Sequence, residues 1–165
     1  MKYSPNLHVV LYEPEIPHNT GAVGRTCVAI AAKLWLVRPL GFQLDNRHLR
    51  RCGLDYWEHL EVEVVDTWAD LRTELAKARF WFFTKTAQQS YAETQFAAGD
   101  VLVFGSETQG LPRSLIEENH ETSLRIPTRG AVRSLNLSSA VAVASYEAMR
   151  QIGRLDGLPA NGSNS

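Results

Sequence analysis

The chain is expected to fold as α/β: a mostly parallel sheet with helices on both faces. Two observations lead there. Short apolar runs of strand length alternate with stretches of helical pattern, and that alternation is the signature of a parallel sheet with helical crossovers. The final stretch, from Leu137 to Ala148, has an apolar face at helical spacing and closes the pattern with a helix.

The elements follow in order. Leu7-His-Val-Val-Leu-Tyr12 reads as a buried strand. Pro14 and Pro17 interrupt the chain, and Asn19 is a helix N-cap candidate for a helix reaching about Ala32. Leu34 to Val37 is a second strand, ended by Pro39 and Gly41, and residues Asn46 to Cys52 read as a short helix. Glu61 to Val65 is a third strand and Trp68 to Lys77 a helix. Phe80 to Phe83 is an aromatic strand, Val101 to Phe104 a fifth, and Pro112 to Glu118 a helix with proline in its first turn. Ser123 to Ile126 is a sixth strand. In the last helix Leu137, Ala140, Val141, Ala144 and Ala148 share one face, and the apolar run Val141 to Ser145 predicts burial on more than one side. There is no internal repeat. Residues 1–153 are expected to form one domain, and residues 154–165, rich in Gly, Asn and Ser, a flexible tail.

Composition narrows the function. A hydrophobic fraction of 44% fits a globular domain, and a formal net charge of -1 argues against coating nucleic acid through global positive charge. Local basic faces remain open, from Arg47, His48, Arg50 and Arg51, and from Arg125, Arg129 and Arg133. Cys27 and Cys52 lack metal-ligand spacing and are expected to be reduced thiols in a cytoplasmic protein. No signal-peptide layout is visible, and no apolar run approaches the roughly 20 residues of a membrane span.

Three loops leave strands and enter helices, where open α/β sheets bind ligands. The first, Glu13 to Arg25, carries Gly21 and Gly24, whose spacing does not complete a dinucleotide fingerprint. Asn19 is most simply a cap there, and Arg25 is open between a structural ion pair and a functional role. The second, Val101 to Pro112, holds Gly105, Glu107 and Gly110. Its backbone amides and the following helix start suit polar ligand atoms. Glu107 is open as a base, a hydrogen-bond acceptor or a partner of Arg25. In the third, Ile126 to Ser139, Ser134 and Asn136 are both good caps, yet Ser134-Leu-Asn-Leu-Ser138 also gathers donors and acceptors. Three polar loops at one sheet edge suit a nucleoside cofactor.

Asn19-x-Gly21-x-x-x-Arg25, Phe104-Gly-Ser-Glu-Thr-Gln-Gly-Leu111 and Ile126-Pro127 with Ser134-Leu-Asn-Leu-Ser138 resemble the three motifs of the SPOUT-class RNA ribose 2′-O-methyltransferases. Leu11 to Pro17 and Leu49 to Tyr56 look like the single-domain subgroup, which methylates the wobble-position ribose (cytidine or modified uridine) of certain leucine tRNAs. The resemblance covers nearly the whole chain. It implies a deep C-terminal trefoil knot, which general topology rules would not lead one to expect. It implies S-adenosylmethionine as cofactor, S-adenosylhomocysteine as product and no metal. By matching position, Phe83, Gly105, Ile126, Ser134 and Leu135 line the cofactor pocket. Arg25, Asn19, Glu107, Ser134 and Asn136 form the catalytic set. The anticodon stem-loop is expected against Arg129, Arg133, Tyr146, Arg50 and Arg51. Members are homodimers with composite active sites, and the first and last helices are the expected interface.

The chain departs from the subgroup at Ser139, where asparagine is common, at Gly130-Ala-Val132, which replaces more polar residues, and at Ser106, which replaces a proline. These positions bear on substrate preference. The competing readings are a related enzyme acting on another tRNA or rRNA site, a non-catalytic RNA-binding dimer, and a flavodoxin-like or Rossmann redox protein.

Overall fold

The computed structural model describes residues 4–45, 55–156 and 158. Its strands are β1 (His8–Tyr12), β2 (Lys33–Val37), β3 (Val62–Val65), β4 (Phe80–Phe83), β5 (Gln89–Ser90), β6 (Val101–Phe104) and β7 (Ser123–Arg125). The helices are α1 (Pro17–Ile30), α2 (Trp68–Glu74), α3 (Arg113–Glu118) and α4 (Leu137–Gln151). The seven strands form one sheet in the order β3-β2-β1-β6-β4-β7-β5, and every pair is parallel. β1 lies between β2 and β6, with Val9 level with Leu34 and Leu102.

Side chains alternate across a strand, so each strand feeds two cores. Val9, Leu11, Leu34, Leu36, Leu102, Phe104 and Leu124 face one side, where Val23, Cys27 and Ile30 of α1 and Val141, Ala144 and Ala148 of α4 cover them. Val10, Trp35, Val37, Phe80, Phe82, Val101 and Val103 face the other, covered by Leu71 of α2 and Leu115 of α3. The expected parallel sheet with helices on both faces is therefore present. Burial pushes the Cys27 thiol up to about 12, so it is an inert core thiol.

At the start of β6, Asp100 is nearly buried and accepts from Arg79 Nε at 3.0 Å, Trp81 Nε1 at 2.9 Å and the Ala97 amide at 2.9 Å. This network fastens β4 to β6 at the sheet edge opposite the loops described below.

Several local expectations differ. Helix α1 starts earlier than expected, with Ile16 at the N-cap and Pro17 in the first turn, and Asn19 lies buried inside it rather than capping it. The helix ends at Ala31 in the left-handed region (φ 55°), without a glycine. Pro112 is the N-cap of α3 rather than a residue of its first turn. Helix α2 ends at Glu74, not Lys77. β5, two residues long, has no apolar run to announce it, and neither does the 3-10 segment Asp55–His59. In α4, Val141, Ala144 and Ser145 are buried but Val143 is 39% exposed, so the run is covered on one side only. The helix expected over 46–52, with Arg47, His48, Arg50, Arg51 and Cys52, lies outside the described residues.

Candidate active site

Because β1, β4, β6 and β7 are parallel, their C-terminal ends deliver the three loops to one edge of the sheet. There Phe83 stacks on Phe104 with ring centres 4.6 Å apart. The chain turns sharply after Phe104. Gly110 has a φ of 67°, and its amide donates to the Ser106 carbonyl at 3.0 Å. A Cβ at Gly105 would overlap the backbone of Gly110 and Leu111, so only glycine lets the turn fold back on the strand end.

That turn aims Glu107 at the first loop. The start of α1 has no side-chain cap of its own, although helix starts leave amides without intrahelical acceptors. The Glu107 carboxylate comes from another loop and accepts from the Glu15 amide at 2.8 Å and the Ile16 amide at 3.0 Å. It also accepts from Asn19 Nδ2 at 3.4 Å. Thr108 Oγ1 reinforces the joint by donating to Glu15 Oε1 at 2.6 Å. That hydrogen bond holds the Glu15 carboxyl below the usual carboxylate range.

The third loop closes the set. Asn136 caps α4, its Oδ1 accepting from the Ser138 amide at 2.9 Å and the Ser138 hydroxyl at 2.7 Å. Its Nδ2 donates to Asn19 Oδ1 at 3.3 Å. Asn136, Asn19 and Glu107 thus form a hydrogen-bonded chain through all three loops. Asn19 is its middle member, which is why it is buried and not at a cap.

Arg25 lies farther along α1 and is exposed. Its guanidinium is 5.7 Å from the centre of the Tyr56 ring, and no carboxylate is paired with it among the described residues. Glu107 therefore engages Asn19, not Arg25. Ile126 is half-buried, Leu135 is 37% exposed, and Ser134, Arg129 and Arg133 are exposed, all in the third loop. Ser134 makes no cap bond; Asn136 does. Tyr146 projects from α4 with 42% exposure. Arg50 and Arg51 lie outside the described residues. Among the described residues no cluster of His, Cys, Asp and Glu could hold a metal ion. Tyr56 and Thr108 were not legible as site residues, since both act through contacts distant in sequence.

The model of the SpoU rRNA methylase family matches residues 6–146. A Bacillus subtilis protein provisionally named a tRNA (cytidine(34)-2′-O)-methyltransferase is 48% identical over 148 residues, covering 88% of this chain and 92% of its own length. The tRNA (cytidine(34)-2′-O)-methyltransferase of Saccharophagus degradans is 43% identical over 147 residues, covering 88% of this chain and 96% of its own. A solved structure described as giving insight into 2-OH methylation of C/U34 on tRNA superposes with a TM-score of 0.80 at 47% identity, over 88% of this chain and 95% of that one. An rRNA methyltransferase from Sinorhizobium meliloti, solved with S-adenosylmethionine bound, superposes with a TM-score of 0.75 at 25% identity, over 91% of this chain and 61% of that one.

Proposed function

The chain belongs to the SpoU methylase family, and we propose that it transfers a methyl group from S-adenosylmethionine to the ribose 2′-hydroxyl of the wobble nucleotide in tRNA. The substrate is a cytidine or uridine at position 34, in keeping with the names of its relatives; leucine tRNAs and a modified uridine follow from the sequence resemblance alone. The observation that carries this reading is the Asn136–Asn19–Glu107 chain joining three loops at one sheet edge, with an exposed arginine, not paired to a carboxylate among the described residues, on the helix it starts.

The residues fit the cofactor. Ile126 and Leu135 offer apolar surface, Phe83 lies nearly buried on Phe104 at the same strand ends, Gly105 brings backbone close, and Ser134 is exposed. When bound, S-adenosylmethionine supplies a methyl group activated on a sulfonium, which needs no metal to leave. The protein's task is then to place the hydroxyl in line with it and to stabilise the oxygen as its proton departs. A guanidinium, with a pKa above about 12, is a poor base. Arg25 therefore binds the flanking phosphate and stabilises the developing negative oxygen. Glu107 and Asn19 organise the loops, and Asn136 and Ser134 hold cofactor and ribose.

Residues 1–153 act as one catalytic domain whose C-terminal part is threaded as a trefoil knot. The protein works as a homodimer in the cytoplasm. Support comes from exposed apolar side chains on the outer helices: Ile16 at the start of α1, and Val143 and Tyr146 on α4. Covering them in a stable dimer would bury upwards of about 1,200 Å² in total. Arg129, Arg133, Arg50 and Arg51 contact the phosphates of the anticodon stem-loop, and Tyr146 touches RNA at the partner's site. No described helix is long and apolar enough to cross a membrane.

The test is Arg25→Ala. Calorimetric titration is expected to show S-adenosylmethionine binding unchanged, while methylation at position 34 is lost in a purified assay. Retained turnover would remove Arg25 from the mechanism.

A further inference from the structure

We propose that Tyr56 is a positioning residue for Arg25, its ring face fixing where the guanidinium stands; this rests on the role given to Arg25 above. An exposed arginine samples many rotamers, and fixing it requires a partner. Arg25 has no carboxylate partner among the described residues. What it has is the face of Tyr56, 5.7 Å from guanidinium carbon to ring centre, within reach of a cation–π contact. An aromatic face orients a guanidinium without neutralising it, so the charge stays available to a phosphate or a developing anion.

The tyrosine is itself held. Its hydroxyl donates to the Gly21 carbonyl at 2.6 Å, one helical turn before Arg25. The 3-10 segment Asp55–His59 that carries it lies directly on α1. A Cβ at Gly24 would come within 3.0 Å of both Trp57 and Leu60, so a residue with no side chain makes room for the segment beside Arg25. Glycine inside a helix is unfavourable, and this docking is what Gly24 provides in return. Helix α1 therefore brings together the arginine, the acceptor for the tyrosine hydroxyl and the gap into which the tyrosine's segment fits.

The experiment measures single-turnover methylation of tRNA at saturating S-adenosylmethionine for Tyr56→Phe and Tyr56→Ala, in the native background and with Arg25→Lys. In the native background Tyr56→Ala is expected to slow methyl transfer about ten-fold and Tyr56→Phe about three-fold, the cost of a small misplacement. Cofactor affinity should change less than about two-fold, because the cofactor is held elsewhere. In the Arg25→Lys background the planar guanidinium is replaced by an ammonium whose contact with the ring is less directional, so Tyr56→Ala should cost clearly less than in the native background, about three-fold or under. Equal losses in both backgrounds would assign Tyr56 a merely structural role and overturn the proposal. A second readout is the NMR order parameter of the Arg25 Nε–H group, expected to fall in Tyr56→Ala while the α1 backbone amides keep theirs. An unchanged value overturns the proposal even where Arg25→Lys turns over too slowly to measure. Retained turnover by Arg25→Ala would sink the role of Arg25 itself, a result distinct from either of these.

Discussion

Replacing Glu107 separates an organising carboxylate from a proton acceptor. In Glu107→Ala, the amides of Glu15 and Ile16 and the Nδ2 of Asn19 lose their common acceptor. Hydrogen bonds to a charged group contribute about 1.5–3 kcal/mol each when well made. The Ile16 amide lies at the surface, where water takes the place of the carboxylate, and the Asn19 contact at 3.4 Å is long. The Glu15 bond, at 2.8 Å and part-buried, then dominates. Loss of an ordinary cap, about 0.5–2 kcal/mol, sets the lower end of the range. A total of about 2–3 kcal/mol follows, which lowers Tm by about 4–12 °C for a chain of this size. Glu107→Gln keeps one oxygen acceptor and loses the charge. It should cost about 1 kcal/mol, or about 2–4 °C. The assay pairs calorimetric melting with cofactor titration and single-turnover methylation. An organising role predicts that Glu107→Gln keeps substantial turnover and that both variants lose cofactor affinity in step with Tm, because Asn19 and Asn136 loosen together. A Glu107→Gln variant that melts normally but loses more than about a hundred-fold in rate would refute this and make Glu107 the proton acceptor.

Two further outcomes follow from the packing. Gly105→Ala forces a side chain into the backbone of Gly110 and Leu111, so the turn has to open. More than about 3 kcal/mol should be lost, beyond the usual cost of overpacking, with cofactor binding lost as well; native melting and native affinity would disprove the close approach. His8 accepts from Trp35 Nε1 at 3.0 Å, and burial, aided by the Lys33 ammonium, brings its pKa down to about 4. Its folded pKa lies below the unfolded value of about 6.5, so the unfolded chain takes up the proton first. This contribution to stability is complete above about pH 6.5 and is lost as pH falls from there through about 4. Urea unfolding across that window should show a steeper loss for the native chain than for His8→Gln, and parallel slopes would reject the assignment.

The sheet was legible because alternating side chains fill two cores, and that rule acts residue by residue along each strand: Val9 and Leu11 one way, Val10 the other. The parts that were not legible share a physical cause. The start of α1 has no local signature: local rules seek a cap next to the helix, whereas the acceptor at this start is Glu107, 91 residues from Ile16. Asn19 has the chemistry of a cap but spends it on Asn136, 117 residues away. Tyr56 carries no local signal because its acceptor is a helix carbonyl 35 residues back. The spacing of Gly21 and Gly24 does not suit a phosphate loop; Gly24 makes room for the neighbouring segment and the Gly21 carbonyl anchors it. Natural chains depart from local propensity chiefly where function or strain requires it. A helix started by a distant carboxylate, a buried asparagine in its first turns and a glycine no other residue can replace all meet at the C-terminal ends of β1 and β6, on the helix that farther along carries the exposed Arg25. That concentration of departures is itself an argument that this edge, and not the opposite one held by Asp100, is where the chain does its chemistry.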